Sequence, residues 1–342
     1  MVNRIQLQPS GTEFETKEGE NILESALEHG VAFPYGCQNG FCGACKAKVT
    51  GGEFVYQDEY KPEPLTEDEL SEGMIICCKA EAKSDLLVEV EEVKGAEAIQ
   101  VHTMPTKISK IERLADDVIR LYLKQPEDEH LQFLAGQYIE ILLEGDKRRA
   151  FSIANAPHNE SEIELHIRLV ANGFFTPHLF DDMKEKDILR IEGPLGTFFL
   201  REDSRNDLVM VAGGTGFAPI KGIVEHAIEL GMKNTIYIYW GVRSEKDLYL
   251  KALAESWANE HENIKFIPVL SDPDAGWEGR SGFVHEAVYE DFYDLSGRDV
   301  YMAGPPVMVE AGKKAFMARK LPEKRLYFDS FEVAGASEGK ES

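Results

Sequence analysis

Five cysteines lie in the first quarter of the chain, and three of them are closely spaced. Cys37, Cys42 and Cys45 form the pattern C-x4-C-x2-C, and Cys77 and Cys78 follow further along. This spacing is typical of thiolates that bind a [2Fe-2S] cluster, which requires one more distant cysteine. Neighbouring strand residues point to opposite faces, so only one of Cys77 and Cys78 can easily face the cluster. A four-cysteine zinc site is the alternative, but zinc sites usually use C-x2-C pairs, and the tight loop favours the two-iron cluster.

A glycine-rich turn, Gly213-Gly214-Thr215-Gly216, follows a buried run and opens a helical stretch with Pro219 near its start. Glycines let the backbone approach a pyrophosphate closely, and the free amides of a helix N-terminus supply positive potential. The proline fits because the first helical turn needs no N–H partner. The turn is not the G-x-G-x-x-G fingerprint, so the residues alone leave phosphate binding and simple close packing as equal alternatives.

Two shorter motifs are weaker evidence for a binding site when each is taken alone. Arg149-Ala-Phe151-Ser152 closes a strand, and Gly173-Phe-Phe-Thr176 precedes a helix. A surface arginine and a threonine that caps a helix N-terminus are the simpler interpretation without further context.

The cysteine loop needs a frame, and the residues around it predict a β-grasp fold. Residues 4–8 and 13–17 are expected to form a hairpin, and Asn21 is placed to cap a following helix. An acidic strand over residues 86–93 precedes the loose stretch 94–97. This change predicts a domain boundary near residue 97.

Two other patterns of apolar and polar residues follow this boundary. Over residues 98–205 apolar and polar residues alternate, which favours half-buried strands of an antiparallel β-barrel, with His166 facing solvent. Over residues 206–333 buried runs alternate with helical stretches, which predicts a doubly wound parallel sheet. Residues 334–342 are expected to be a polar tail.

Length, composition and charge limit the function classes. The 342 residues are 43% hydrophobic and 29% charged, as in ordinary globular proteins, and the net charge is −24. This sign disfavours nucleic-acid and anionic-membrane binding and suits a cationic protein partner. Half of the net charge, −12, lies in the first 97 residues. We expect no membrane span and no signal peptide, and hence a cytoplasmic protein.

Together these motifs give the chain a clear family likeness. It resembles the ferredoxin-reductase superfamily, in the arrangement with the [2Fe-2S] domain first, which includes reductase components of methane, phenol and benzoate oxygenases and the CDP-6-deoxy-3,4-glucoseen reductases. The resemblance covers nearly everything from Val2 to Phe331. It implies a ferredoxin domain (1–97), an FAD-binding β-barrel (98–205) and an NAD(P)-binding domain (206–333).

The resemblance also implies roles for individual residues. The family pattern G-x-x-L-x-C, read from Gly73 with Ile76 in place of leucine, selects Cys78 as the fourth cluster ligand. Residues expected at FAD are Arg149 at the phosphates, Phe151 along the flavin, Ser152 near its reactive N5, and Phe174, Phe175 and Thr176 at the pyrophosphate.

A further set is implied for the nicotinamide nucleotide. Its members are Gly213, Gly214, Thr215 and Gly216 at the pyrophosphate, Arg243 beside the adenosine ribose, and Gly304, Pro305 and Phe331 at the nicotinamide. Ser152 and Asp329 are the expected catalytic residues. The sequence departs from the family at Ala303, where cysteine is usual, and at Asp329, where glutamate is usual. These two departures are expected to affect the rate of hydride transfer and the position of the nicotinamide.

The implied activity is a relay from NADH, with NADPH possible, through FAD and the [2Fe-2S] cluster to a partner oxygenase or deoxysugar dehydratase. Glu245 and Asp247, close after Arg243, would repel a 2′-phosphate and favour NADH. Two alternatives remain open at this point. One is a reductase of free flavin or quinone, and the other is an electron-carrier module with an inactive nicotinamide site.

Overall fold

The computed structural model describes residues 2–93, 95, 99–145, 147–159 and 161–331. The chain divides into two compact units between Ile99 and Gln100. The predicted boundary at residue 97 and the predicted tail, 334–342, lie outside the described residues. Among the residues described, no helix has the length and apolar character needed to cross a membrane.

The first unit is a mixed sheet packed against a short helix. Its elements are β1 (Val2–Gln8), β2 (Glu13–Lys17), α1 (Ile22–Glu28), β3 (Lys46–Gly51), β4 (Phe54–Tyr56), α2 (Glu67–Ser71), β5 (Met74–Ile76), β6 (Ala80–Ala82) and β7 (Leu86–Glu89). The main sheet has the order β2-β1-β7-β3-β5, with β1 and β7 parallel, and β4 pairs with β6. The predicted ferredoxin-type fold is confirmed.

Local sequence explains the start of this unit. Residues 4–8 and 13–17 pair as the expected antiparallel hairpin. The Asn21 side chain accepts the Glu24 N–H, as predicted for a helix cap. The strand expected over 86–93 ends earlier, at Glu89. The Val90 N–H still donates to Gln8, the last residue of β1, but the Val93 N–H donates to Ala32 instead.

The second unit begins with a six-stranded antiparallel barrel. Its elements are β8 (His102–Ala115), β9 (Val118–Lys124), β10 (Tyr138–Leu142), β11 (Arg148–Ser152), β12 (Glu162–Arg168), α3 (Thr176–Asp181) and β13 (Ile188–Leu195). The strand order is β11-β10-β13-β8-β9-β12. An antiparallel bridge between Ile153 and Leu165 joins the two outer strands. The predicted antiparallel barrel is therefore present.

A parallel sheet follows in the same unit. Its elements are β14 (Asp207–Gly213), α4 (Phe217–Glu229), β15 (Ile236–Val242), α5 (Lys251–Glu260), β16 (Ile264–Leu270), β17 (Arg280–Ser281), α6 (Val284–Asp291), β18 (Arg298–Gly304), α7 (Pro306–Met317) and β19 (Leu326–Ser330). The order β17-β16-β15-β14-β18-β19 reverses direction beside β14. Ligands of doubly wound folds bind at the carboxyl ends of strands at such a reversal, and β14 ends at Gly213 there.

One strand of the barrel differs from its predicted pattern. Residues 163–167 of β12 are all buried, including Glu164 and His166. The prediction that His166 faces solvent is wrong, because Tyr249 and the Lys221 side chain of α4 cover the outer face of the strand there.

Candidate redox sites

The cysteine loop runs between α1 and β3 and presents its thiols in two pairs. The Cys37 thiol is hydrogen-bonded to the Cys42 thiol, and Cys45 to Cys78. Among the described residues no three His, Cys, Asp or Glu side chains converge so as to hold a single metal ion. A two-iron cluster takes two thiolates on each iron, and two pairs of thiols suit that requirement.

Backbone amides surround the more exposed pair. The Cys42 N–H lies 3.4 Å from the Cys37 sulfur, and the Cys37 and Ala44 N–H groups lie 3.5 and 3.4 Å from the Cys42 sulfur. The hydrogen bond from Cys42, helped by amides including Asn39, lowers the pKa of Cys37 to about 6. The loop therefore stabilises negative charge on sulfur, and its donor set fits a [2Fe-2S] cluster.

Cys77 and Cys78 occupy different surroundings. Cys77 is fully buried in the core of the unit, and burial raises the pKa of its thiol. Cys78 donates its thiol hydrogen bond to Cys45, and charge on Cys37 and Cys42 acts on it as well. Cys78 thus lies with the three loop cysteines.

Gly40 shows why the loop requires glycine. Its φ is +94°, and a Cβ atom there would lie 2.6 Å from the ring of Tyr60. The Tyr60 hydroxyl donates a hydrogen bond to the Gly40 carbonyl. The tyrosine therefore supports the loop from behind, and only a residue without a side chain leaves room for it.

The predicted flavin residues of β11 lie at the end of the strand. The half-buried Arg149 donates to the carbonyl of Arg148 at 2.8 Å. The Phe151 ring lies 5.8 Å from that of Phe175. The buried Ser152 hydroxyl donates to Asp329 Oδ2 at 3.0 Å. Two motifs that are far apart in sequence are thus joined through the two predicted catalytic residues.

The turn before α3 is held by Thr176. Its hydroxyl accepts the Val170 N–H at 2.9 Å and donates to the Val170 carbonyl at 3.1 Å. Thr176 is the first residue of the helix, and Phe175 occupies the cap position, so the simpler interpretation of Thr176 as an N-cap is wrong. Phe175 is buried, whereas the exposed Phe174 ring has the Lys147 ammonium 4.3 Å from its centroid.

The glycine turn after β14 packs tightly against the end of β18. A Cβ atom on Gly216 would lie 2.5 Å from the carbonyl carbon of Ala303, and one on Gly213 would lie 3.0 Å from Pro305. The Trp240 indole N–H donates to the Gly214 carbonyl at 2.9 Å. Thr215 lies in the short 3₁₀ turn over residues 214–216. Close packing and an open helix N-terminus therefore occur together, and the two interpretations of this turn are not exclusive.

The last strand connects this turn to the flavin motif. Asp329 of β19 pairs with Ala303 of β18, and the Phe331 N–H donates to the Gly304 carbonyl at 2.9 Å. Since Asp329 also binds Ser152, the predicted nicotinamide residues lie beside the predicted flavin residues.

The predicted ribose region lies at the end of β15. Arg243 is 80% exposed, and its Nε lies 3.3 Å from Asp272 Oδ2. Asp247 accepts hydrogen bonds from both the N–H and the hydroxyl of Ser244, each at 2.9 Å. Glu245 lies 2.7 Å from the Lys251 ammonium. Both carboxylates are therefore engaged within the protein.

Comparison with known proteins agrees with this arrangement. The chain matches a 2Fe-2S iron-sulfur cluster binding domain over residues 5–83, an oxidoreductase FAD-binding domain over 105–200 and an oxidoreductase NAD-binding domain over 210–314. It is 41% identical over 327 residues to the CDP-6-deoxy-L-threo-D-glycero-4-hexulose-3-dehydrase reductase of Yersinia pestis, which covers 96% of this chain and 98% of that protein. The chain belongs to the ferredoxin-reductase superfamily.

Other relatives show how widely this reductase architecture is used. The phenol hydroxylase P5 protein of Acinetobacter pittii is 33% identical, with 97% of this chain and 95% of that protein covered. The crystal structure of the Amycolatopsis cytochrome P450 reductase GcoB has a TM-score of 0.81 at 32% identity, covering 97% of this chain and all of that one. The reductase is an NAD(P)H-dependent oxidoreductase with FAD, NAD and [2Fe-2S] domains.

The structure also reveals a residue that sequence reasoning missed. Arg168, at the end of β12, holds its guanidinium 3.2 Å from the position of a Cβ atom on Gly214. Its Nε lies 3.2 Å from Asp117 Oδ2. A cation from the barrel therefore faces the glycine turn of the NAD domain. Only the fold brings these positions together, and the sequence carries no local signal of it.

Proposed function

We propose that this reductase passes electrons from NADH, through FAD and the [2Fe-2S] cluster, to a separate sugar-nucleotide 3-dehydratase. The observation that carries the first step is the hydrogen bond between Ser152 and Asp329. It joins the strand with the flavin motif to the strand beside the predicted nicotinamide residues, as direct hydride transfer requires. When bound, FAD accepts a hydride and releases electrons singly, and the cluster accepts one electron at a time.

The residues of the chain then have distinct tasks. Arg149 offers a planar donor fork for the FAD phosphates. Ser152 is fixed in one orientation because its hydroxyl donates to Asp329. At the other nucleotide, the amides of residues 213–216 and the Arg168 guanidinium offer positive charge for the pyrophosphate. We assign Ser152 and Asp329 the catalytic roles, with the other residues predicted for FAD and the nicotinamide nucleotide as binding residues.

For the cluster, we assign Cys37, Cys42, Cys45 and Cys78 as ligands. The two hydrogen-bonded thiol pairs, Cys37 with Cys42 and Cys45 with Cys78, support this set. The domain limits 1–97, 98–205 and 206–333 are likewise our proposal. We also propose a cytoplasmic location, where NADH is supplied and thiols stay reduced.

NADH is the proposed reductant rather than NADPH. Asp272 lies 3.3 Å from the exposed Arg243, and Glu245 and Asp247 follow the arginine in the chain, so this region stays rich in carboxylates although Lys251 pairs with Glu245 and Ser244 donates to Asp247. A 2′-phosphate would be repelled there, whereas ribose hydroxyls can donate to carboxylates. We expect a higher kcat/KM with NADH, measured by flavin reduction, and a higher value with NADPH would reverse the assignment.

The dehydratase partner is favoured by similarity. The relative named as a 3-dehydrase reductase is 41% identical, against 33% for the phenol hydroxylase protein, at similar coverage. The test mixes purified holoenzyme and NADH with one of two partners and the substrate of that partner: the 3-dehydrase that the Yersinia reductase serves, under argon, or a phenol hydroxylase oxygenase, in air-saturated buffer because that enzyme consumes O₂. We expect NADH oxidation coupled to product formation with the dehydrase.

A matched control separates partner reduction from side reactions. Cys78→Ser, which removes a proposed cluster ligand, should abolish delivery to the dehydrase while NADH still reduces bound flavin. Coupling to the oxygenase alone would contradict the choice of partner. Delivery that continues without the cluster would contradict the proposed route.

A further inference from the structure

A buried group of ionisable side chains lies where the barrel meets the parallel sheet of the second unit. Glu164 and His166 of β12 are each 5% exposed, and Lys221 of α4 is 4% exposed. Charged side chains are almost never buried this deeply unless they are paired. None of these three residues belongs to the proposed cofactor sites.

Their hydrogen bonds form a chain with a defined direction. Burial lowers the pKa of His166 and raises that of Tyr249, so the imidazole is neutral and the phenol keeps its proton. Tyr249 then donates to His166 Nδ1 at 3.1 Å, and His166 Nε2–H donates to Glu164 Oε1 at 2.9 Å. Lys221 Nζ donates to Glu164 Oε2 at 3.0 Å. Burial alone would raise the pKa of Glu164, but His166 and Lys221 lower it to about 2.

One end of the chain reaches the flavin motif. Lys221 Nζ also donates to the carbonyl of Ala154 at 3.1 Å, and Ala154 is two residues beyond Ser152. The neighbouring Gly222 brings α4 against the same segment, since a Cβ atom there would lie 2.9 Å from the Asn155 carbonyl oxygen. The helix that begins after the glycine turn is thus fastened to the segment that follows the flavin strand.

The other end reaches the glycine turn itself. The Tyr249 ring lies edge-on to Trp240, with centroids 5.0 Å apart, and to Phe217 at 6.3 Å. Trp240 stacks on Phe217 at 3.7 Å and donates its indole N–H to Gly214. The hydrogen-bond chain therefore runs from the support of the pyrophosphate turn to the backbone beside the flavin motif.

We propose that Lys221, Glu164, His166 and Tyr249 are positioning residues that set the separation of the two nucleotides and thereby the rate of hydride transfer. This inference rests on the proposed function. A buried ion pair often stabilises a fold no better than apolar residues of the same size, so this one is better explained by orientation than by stability. Hydrogen bonds with a fixed donor order impose geometry that apolar packing does not.

The test replaces the ion pair with neutral residues of similar size, Lys221→Met together with Glu164→Gln, which leaves neither member of the pair as an unpaired buried charge. Glu225, whose Oε2 also lies 2.9 Å from Lys221 Nζ, has a 28% exposed side chain and keeps contact with solvent in this variant. FAD-loaded protein is mixed with NADH under argon in a stopped-flow instrument, and flavin reduction is followed over a range of NADH concentrations. We expect the limiting rate to fall about tenfold, equivalent to about 1.4 kcal/mol of barrier. The Kd for NADH should stay within about twofold, since this pair touches neither proposed nucleotide site.

The control removes an exposed ion pair between two loops of the same unit, Lys320→Met with Asp294→Asn, whose partners lie 3.0 Å apart. It should match the wild type in rate, Kd and flavin content. Deuteration of the transferred hydrogen of NADH should slow the double variant as well, which identifies hydride transfer as the affected step.

Tyr249→Phe provides a second, milder variant because it removes one hydroxyl and keeps the ring in place. We expect a severalfold lower limiting rate, and this variant decides the question if the double variant does not load FAD. An unchanged limiting rate in folded, FAD-loaded variants would overturn the inference, as would a change confined to Kd. Failure of NADH to reduce wild-type flavin would instead refute the proposed function.

Discussion

Adding one methyl group to the glycine turn should greatly slow the use of NADH without disturbing the rest of the reductase. A Cβ atom on Gly216 would lie 2.5 Å from the carbonyl carbon of Ala303, with the oxygen of that carbonyl closer still. Carbon atoms pack at about 3.5 Å, so Gly216→Ala must move the turn away from β18 by about 1 Å. A displacement of about 1 Å costs on the order of 100-fold in rate when it misplaces reacting groups.

The assay compares kcat/KM for NADH-dependent flavin reduction in wild type and Gly216→Ala. We expect a loss of about 100-fold, with normal FAD content and a normal signal from the chemically reduced [2Fe-2S] cluster. Gly297→Ala is the matched control, because a Cβ atom there meets nothing within 4 Å. Wild-type kcat/KM in Gly216→Ala would show that the turn does not hold the nucleotide against β18.

Four further predictions concern other parts of the chain. Cys78→Ser should abolish the electron paramagnetic resonance signal of the reduced cluster, whereas Cys77→Ala should keep it; the reverse result would move the fourth ligand by one residue. Arg149→Ala should lose FAD but retain iron, measured by flavin absorbance and iron content, and full flavin content would refute the assignment. The pKa of Glu164 is about 2 against an ordinary 4.5. The contribution of its ionised carboxylate to the free energy of unfolding is therefore complete above pH 4.5 and is lost as the pH falls towards 2. Denaturant unfolding should show this loss in wild type and not in the Lys221→Met, Glu164→Gln variant. Added salt should slow electron delivery to the partner more than flavin reduction, because the first 97 residues carry a charge of −12; equal effects would exclude acidic docking.

Much of the fold could be predicted because local signals matched the final structure. Alternation of period two is present in β9 and predicted the antiparallel barrel. Continuous apolar runs form β14 and β18 and predicted the parallel sheet. The cysteine spacing likewise identified a loop whose thiols meet in space, since three of them are close in the chain.

The residues that sequence reasoning missed all depend on contacts between distant segments. His166 alternates with apolar neighbours as an exposed strand residue would, and nothing near it indicates that Tyr249 covers it. In the sequence, Arg168 has no feature that distinguishes it from any other residue at the end of a strand, although the structure places its guanidinium beside Gly214. The hydrophobic pattern of a strand indicates which of its faces packs on its own domain. It does not show whether a second domain covers the opposite face.

All three tryptophans lie in one part of this reductase, so their emission can serve beside the flavin and the cluster as one of three separate optical probes. Trp240, Trp257 and Trp277 all lie in the parallel-sheet part of the second unit. Their emission reports the melting of that part, flavin fluorescence reports release from the barrel, and visible absorbance of the cluster reports the first unit. A single heating experiment on the native protein can thus measure whether its parts unfold together or in sequence, and which one limits its thermal lifetime.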